Sequence, residues 1–279
     1  MLCITFDNFG CGSGKLPPCP FPDLVPEVEW DHYNEIGLTL GHPRILQLLR
    51  QLAIPTTFFA EGYSAVLHPD EVKRWRNEGH EIALHGWKHE TWSTISSAAA
   101  EDELVGLAVS AMGELLGQQP LGFRPPGLQI NAWTDEVMER HGIRYIAQAT
   151  GPTADPRFAA LGIRAQEERP HHLTRLPLLP CSARLIDGDL LAPAHGGLFG
   201  QLDAQAAYEA FFDMALQHES ATTQEPWVFI VHPFISGNRA WPGLEKFLRR
   251  LHAEFGSGAF RTGRQIALDG HADERGTQS

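Results

Sequence analysis

The sequence predicts an α/β barrel of about seven parallel strands. Short apolar β-like runs alternate with amphipathic helical stretches, as expected when parallel strands are joined by helical crossovers. The 279-residue length suits one barrel, a fold that commonly takes about 250 residues as a single unit. Asp7, His85, Arg124 and His232 each fall at or just past the C-terminal end of a different run, where such barrels carry their reactive groups.

The first strand is Leu2 to Phe6, followed by a Gly-, Pro- and Cys-rich loop from Gly10 to about Glu27 that is too long for a simple connector. A helix from His42 to Leu52 carries Ile45, Leu46, Leu48, Leu49 and Leu52 at helical spacing, and the β-formers of Pro55 to Ala60 make the second strand. A helix over Asp70 to Asn77 ends near Gly79, and Glu81 to Leu84 is the third strand, running into His85. The next helix, Ser97 to Leu116, is closed by Gly117. Leu121 to Phe123 is a short fourth strand, Asn131 or Thr134 caps a helix to His141, and Ile143 to Ala147 is the fifth strand.

Residues 151–170 are polar and Pro-interrupted. Leu173 to Leu179 reads as the sixth strand, Ser182 to Gly200 as a loop and Asp203 to His218 as a helix. Trp227 to Val231 is an unbroken apolar run, the signature of a strand buried on both faces, and it ends in His232-Pro233. A helix over Pro242 to Phe255 comes last, before a frayed tail from Asp269 to Ser279. With no linker or repeat in view, residues 1–279 are expected to form one catalytic domain.

A net charge of -12, with no cluster of Lys and Arg, argues against a nucleic-acid or anionic-membrane surface. No apolar stretch approaches the roughly 18 residues of a membrane span, and Met1 leads directly into a β-like run without signal-peptide character, so the expectation is a cytoplasmic protein. Four cysteines, Cys3, Cys11, Cys19 and Cys181, form no CxxC pair and read as free thiols, with a Cys11–Cys19 bridge as the alternative. Oligomeric state is open, a homo-oligomer included.

His85-Gly-Trp-Lys-His89 sets two imidazoles four apart, a spacing that on a helical turn lets both reach one divalent ion such as Zn²⁺, with Glu90 available to orient a ring. In a chain with 14 histidines the pair can also be accidental. Asp7 emerges from a strand end, where it can bind metal, accept a proton from water or simply cap a loop. Arg124 sits in Phe123-Arg-Pro-Pro-Gly127, stiffened by prolines, and Gly127 keeps an N–H donor with room for close approach. His232 is restrained by Pro233 and suits a general acid, its alternative being a satisfied core histidine.

Taken in order, Thr5-Phe6-Asp7-Asn8, His85 to His89, Phe123 to Gly127 and Ile230 to Pro233 resemble the motifs of the polysaccharide deacetylases, the NodB-homology group of carbohydrate esterase family 4. The resemblance covers roughly Leu2 to Phe260. It implies a single distorted (β/α) barrel of the NodB type and a hydrolase acting on non-peptide C–N amide bonds of a small or oligomeric N-acylated substrate, most simply an N-acetylated carbohydrate. It implies Asp7 as base, Arg124 as its orienting partner and His232 as acid. It implies a divalent metal, Zn or alternatively Co, Ni or Mn, on His85, His89 and Asn8, or on Asp7 in its place. Gly127 and Trp87 are the implied oxyanion and substrate contacts.

This chain departs from the family at three places. Asn8 stands where a third, aspartate ligand is usual, Gly127-Leu128 stand where an aromatic residue is common, and residues 151–170 hold no copy of the fourth, Asp- and Trp-containing motif. His85 to Glu90 and His232 to Gly237 look closer to an intracellular branch with cyclic imide hydrolases, metal-independent allantoinases and lipid-sugar deformylases. A cyclic imide or ureide hydrolase, a deformylase and an inert ligand-binding barrel are therefore the alternative readings.

Overall fold

The computed structural model describes residues 1–7, 35–149, 172–181, 185–188, 208–209, 212–213, 216, 226–238 and 240–269. Seven parallel strands, β1 (Leu2–Asp7), β2 (Thr57–Ala60), β3 (Glu81–Leu84), β4 (Gly122–Phe123), β5 (Tyr145–Ala149), β6 (Leu178–Cys181) and β7 (Trp227–Val231), lie in the order β6-β5-β4-β3-β2-β1-β7. After β6 the chain makes a parallel bridge from Ile186 to Ile230 of β7, which draws the two edges together into a nearly closed barrel. The helices are α1 (His42–Leu52), α2 (Ser64–Leu67), α3 (Pro69–Asn77), α4 (Ala98–Leu116), α5 (Thr134–Arg140), α6 (Pro233–Ser236) and α7 (Trp241–Phe255).

Local chemistry explains most of these boundaries. Helix α1 has Pro43 in its first turn, buries Ile45, Leu46, Leu48, Leu49 and Leu52 on one face, and stops where Ala53 turns left-handed at φ 49°. Ser97 caps α4 by accepting a hydrogen bond from the Ala100 N–H at 3.2 Å, and Gly117 ends it at φ 69°. β1 and β7 are buried along their whole length because each is flanked by structure on both faces. No described helix is long and apolar enough to cross a membrane.

The period-2 alternation of the strands sorts the side chains into two layers. Leu2, Ile4, Phe6, Phe58, Ala60, Ile82, Leu84, Phe123, Phe229 and Val231 join the large core beneath the helices. Cys3, Phe59, Ala83, Val228, Ile230, Leu179 and Cys181 fill the barrel interior. Continuing the second phase by one step along each strand brings Asp7, His85, Arg124 and His232 to the inward side. The fold thus aims all four at one place.

Several elements differ from the sequence reading. The fifth strand runs from Tyr145 to Ala149 rather than from Ile143 to Ala147, since Gly142 and Ile143 serve the turn out of α5, where the Ile143 N–H donates to Met138 O. The sixth is Leu178–Cys181, not Leu173–Leu179, because Thr174 and Arg175 instead bind the carboxylate of Asp135. The short helices α2 and α6 were not anticipated. The Gly10 to Glu27 loop, with Cys11 and Cys19, lies outside the described residues, as do Asn8, residues 151–170 and 189–200, most of the expected Asp203 to His218 helix, and 270–279.

Candidate active site

Strand register sets the height of each group. Phe6 of β1 pairs with Val231 of β7, so Asp7 and His232 leave the sheet at the same level. Leu84 of β3 pairs with Phe123 of β4, which puts His85 beside Arg124. Backbone bonds extend the pairing one residue further, from His85 N to Ala60 O at 2.9 Å and from Arg124 N to Leu84 O at 2.8 Å.

Arg124 is wholly buried. Its Nη1 donates to Asp7 Oδ1 at 2.5 Å and to Thr5 Oγ1 at 2.9 Å, its Nη2 to Cys181 Sγ at 3.5 Å, and its guanidinium lies 4.0 Å over the Phe59 ring. Thr5 is fixed in turn by donating to Phe229 O at 2.9 Å. Burial opposes the guanidinium charge, but the adjacent Asp7 and Cys181 more than offset it, and the Arg124 pKa is raised. Asp7 is therefore an oriented carboxylate held beside a permanent cation.

The carbonyl of Arg124 does a second job. It accepts a hydrogen bond at 2.9 Å from His85 Nδ1, which makes Nδ1 the protonated nitrogen and leaves the Nε2 lone pair facing Asp7, 3.9 Å from Oδ2. The His89 ring packs edge-on against His85 with centroids 4.9 Å apart. Burial, reinforced by the charges of Arg124 and His232 at His85 and by His85 and His232 at His89, lowers the pKa of both rings to about 3, so both imidazoles are neutral at ordinary pH. Neutral imidazoles are the form that binds metal.

The expected helical turn does not form between them. Gly86 and His89 are both left-handed, at φ 76° and 63°, and the segment folds as a tight turn that reaches the same convergence by another route. Glu90 orients no ring. It clamps the turn backbone, accepting from Trp87 N and Lys88 N, each at 2.9 Å. A side chain at position 86 would bring its Cβ within 3.0 Å of Glu90 Oε2, so Gly86 is required for this closure as well as for its φ.

His232 is 6% exposed and is gripped by a residue absent from the sequence reading, Asp187. Asp187 Oδ1 accepts from His232 Nδ1 at 2.6 Å while Oδ2 accepts from the His232 backbone N–H at 2.8 Å. Ser236 donates to Oδ2 at 2.5 Å and lies 2.5 Å from the Tyr208 hydroxyl. The Ile186–Ile230 bridge places Asp187 there, one residue past a paired position. A signal did exist: Leu185-Ile186-Asp187 repeats the apolar-then-polar step of Phe6-Asp7 and Val231-His232.

Gly127 is exposed and left-handed at φ 81°, and a Cβ there would meet nothing within 4 Å. Its openness is compatible with an approaching ligand. Trp87 is half-buried with its ring edge-on to Tyr63 at 5.1 Å, packed on the core flank. Cys3 and Cys181 are buried free thiols. Among the described residues, no three His, Cys, Asp or Glu side chains form a metal-holding group. The donor set there is two imidazoles and the Arg124-bound Asp7.

Residues 31–146, which carry His85, His89 and Arg124, match the polysaccharide deacetylase family model. A peptidoglycan deacetylase of Helicobacter pylori is 30% identical over 106 residues, covering 38% of this chain and 36% of that protein. The chain spans well under half the length of the curated relatives it matches. A Mycobacterium smegmatis crystal structure provisionally named a polysaccharide deacetylase superposes with a TM-score of 0.69 at 23% identity, over 98% of this chain and 90% of that one. The Puue allantoinase superposes with a TM-score of 0.66 at 20% identity, over 91% of each chain. These structural likenesses describe the fold, and the likeness to polysaccharide deacetylases in sequence is confined to residues 31–146 for the family model and to a comparable stretch for the curated relative.

Proposed function

We propose that this protein hydrolyses a C–N amide bond of an N-acylated substrate, most simply removing acetyl from an N-acetylated carbohydrate. The supporting observation is the convergence on one barrel rim of the Arg124-held Asp7, two neutral imidazoles and the Asp187-held His232.

In this reading Asp7 takes a proton from water as the water oxygen bonds to the amide carbon. Arg124 keeps Asp7 aimed, and the Gly127 N–H is the donor nearest in kind to what the developing oxyanion needs. The C–N bond then breaks, and His232 delivers the proton that the departing nitrogen requires. Asp187 steadies the ring and balances its positive charge before that transfer. Acid and amine leave as products, and Trp87 is the candidate contact for the remainder of the substrate.

His85 and His89 suit two positions on a divalent ion, Zn or alternatively Co, Ni or Mn, because the Arg124 carbonyl fixes His85 with its Nε2 lone pair outward. Asn8 or Asp7 is the candidate third ligand. When bound, such an ion supplies Lewis acidity toward the amide carbonyl.

A second reading, hydrolysis of a small cyclic imide or ureide without metal, is favoured by that donor set, whose third member is a neutral amide or a carboxylate already engaged by Arg124. Elemental analysis of dialysed protein, run beside acetate release from N-acetylglucosamine oligomers and ring opening of cyclic imides and ureides, tests both readings. Stoichiometric metal with acetate release supports the first. Imide or ureide turnover without metal replaces it with the second, and no turnover on any of these substrates rejects both.

A further inference from the structure

The end of the barrel opposite the catalytic rim holds a cavity of about 520 Å³. Its walls include Pro55 before β2, Glu81 at the start of β3 and Leu121 before β4, so it lies at the N-terminal ends of these strands. Arg76 and Arg264 both line it, and among the described residues neither guanidinium has a hydrogen-bond or ion-pair partner. In a chain of net charge -12, two unpaired arginines in one concavity require an explanation.

The one carboxylate in the wall, Glu81, feels the charge of Arg264 but forms no direct ion pair with either guanidinium among the described residues. Glu81 accepts from Thr57 Oγ1 at 2.7 Å, from Tyr145 Oη at 2.9 Å and from the Arg264 backbone N–H at 2.9 Å, so both its oxygens are already used. Burial raises its pKa despite its hydrogen bonds and the opposing charge of Arg264, which limits it as a counter-charge. His80 also lines the cavity, is 6% exposed, and has both ring nitrogens without a partner among the described residues. A buried, unsatisfied imidazole costs stability unless something fills its hydrogen bonds. Gln118 and Gln119 also line the cavity.

We propose that this cavity binds a small oxyanion, a phosphate or a dicarboxylate, through Arg76 and Arg264, at a site distinct from the catalytic rim. Paired guanidiniums supply the planar, multidentate donors that such groups take up.

The test is calorimetric titration with inorganic phosphate and, separately, succinate, at ionic strength held constant with sodium chloride. Wild type is compared with Arg264→Gln and with the double variant Arg76→Gln/Arg264→Gln. Saturable binding of one anion, weakened about tenfold or more in Arg264→Gln and lost in the double variant, is the expected result, and the anion that binds identifies the source. No saturable binding of either anion to wild type overturns the proposal, as does unchanged affinity in Arg264→Gln. Because Arg264 is exposed, its variant should fold even if the double variant does not.

Discussion

Asp187 holds His232 twice with one carboxylate, at the ring through Nδ1 at 2.6 Å and at the backbone through its N–H at 2.8 Å. The side chain and the strand end are thereby fixed as one unit. Replacing Asp187 by Asn removes the charge that balances a protonated ring and presents an amide that can stabilise the wrong tautomer. We expect kcat on the accepted amide to fall about 100-fold or more with KM nearly unchanged, measured by steady-state kinetics on protein whose fold is verified by circular dichroism. A kcat within twofold of wild type would show that His232 needs no such partner.

Arg124 and Asp7 form a buried ion pair with side chains 0% and 6% exposed. Arg124→Met removes the guanidinium partner of the buried Asp7 carboxylate, and it also strips Thr5 and Cys181 of their donor. Urea denaturation should show a loss of about 3–5 kcal/mol. A change below about 1 kcal/mol would mean that water reaches Asp7 in the folded state.

Three buried histidines, His42, His80 and His85, and the half-buried His89 should make stability depend on acid. Burial lowers the pKa of His42, His85 and His89 to about 3 and of His80 to about 4, against 6.5 ordinarily. Between pH 6.5 and these values the unfolded chain binds protons that the folded chain refuses. Stability is therefore full above about pH 6.5 and is lost as pH falls toward 3. His42 Nδ1 accepts from Trp75 Nε1 at 2.9 Å, a bond that a glutamine oxygen can replace. In His42→Gln the pH slope of the unfolding free energy below pH 6 should shrink by up to about 1.4 kcal/mol per pH unit. An unchanged slope would show that His42 titrates normally.

His89 has a left-handed backbone at φ 63°, which glycine adopts without strain and alanine does not. His89→Gly and His89→Ala should lose the same activity, since both lack the ring, while the glycine variant should be more stable by about 1 kcal/mol in thermal or urea unfolding. Equal stabilities would mean that the turn relaxes once the ring is gone.

The sequence revealed the strands best where they are buried on both faces. Trp227–Val231 and Glu81–Leu84 were legible to the residue because their apolar content is continuous and their flanks are punctuated. β6 was displaced because Thr174 and Arg175 look strand-compatible yet are recruited by Asp135, a contact 40 residues away in the chain. Asp7, His85, Arg124 and His232 were legible because each is the polar residue that ends an apolar run. Asp187 follows the same rule after only two apolar residues, in a stretch with too many glycines to read as ordered. Thr5 and Cys181 look like strand filler in the sequence. Their role as Arg124 acceptors exists only once residues 119 and 57 positions away from it in the chain are brought together in the barrel interior.

The most direct measurement is amide turnover by wild type beside Asp7→Asn, followed as acetate released from an N-acetylglucosamine oligomer with folding and metal content matched between the two. The account predicts sustained wild-type turnover and a loss of about 100-fold or more in the variant, because the asparagine amide cannot take the proton from water. Turnover undiminished in Asp7→Asn would contradict it and remove Asp7 from the chemistry.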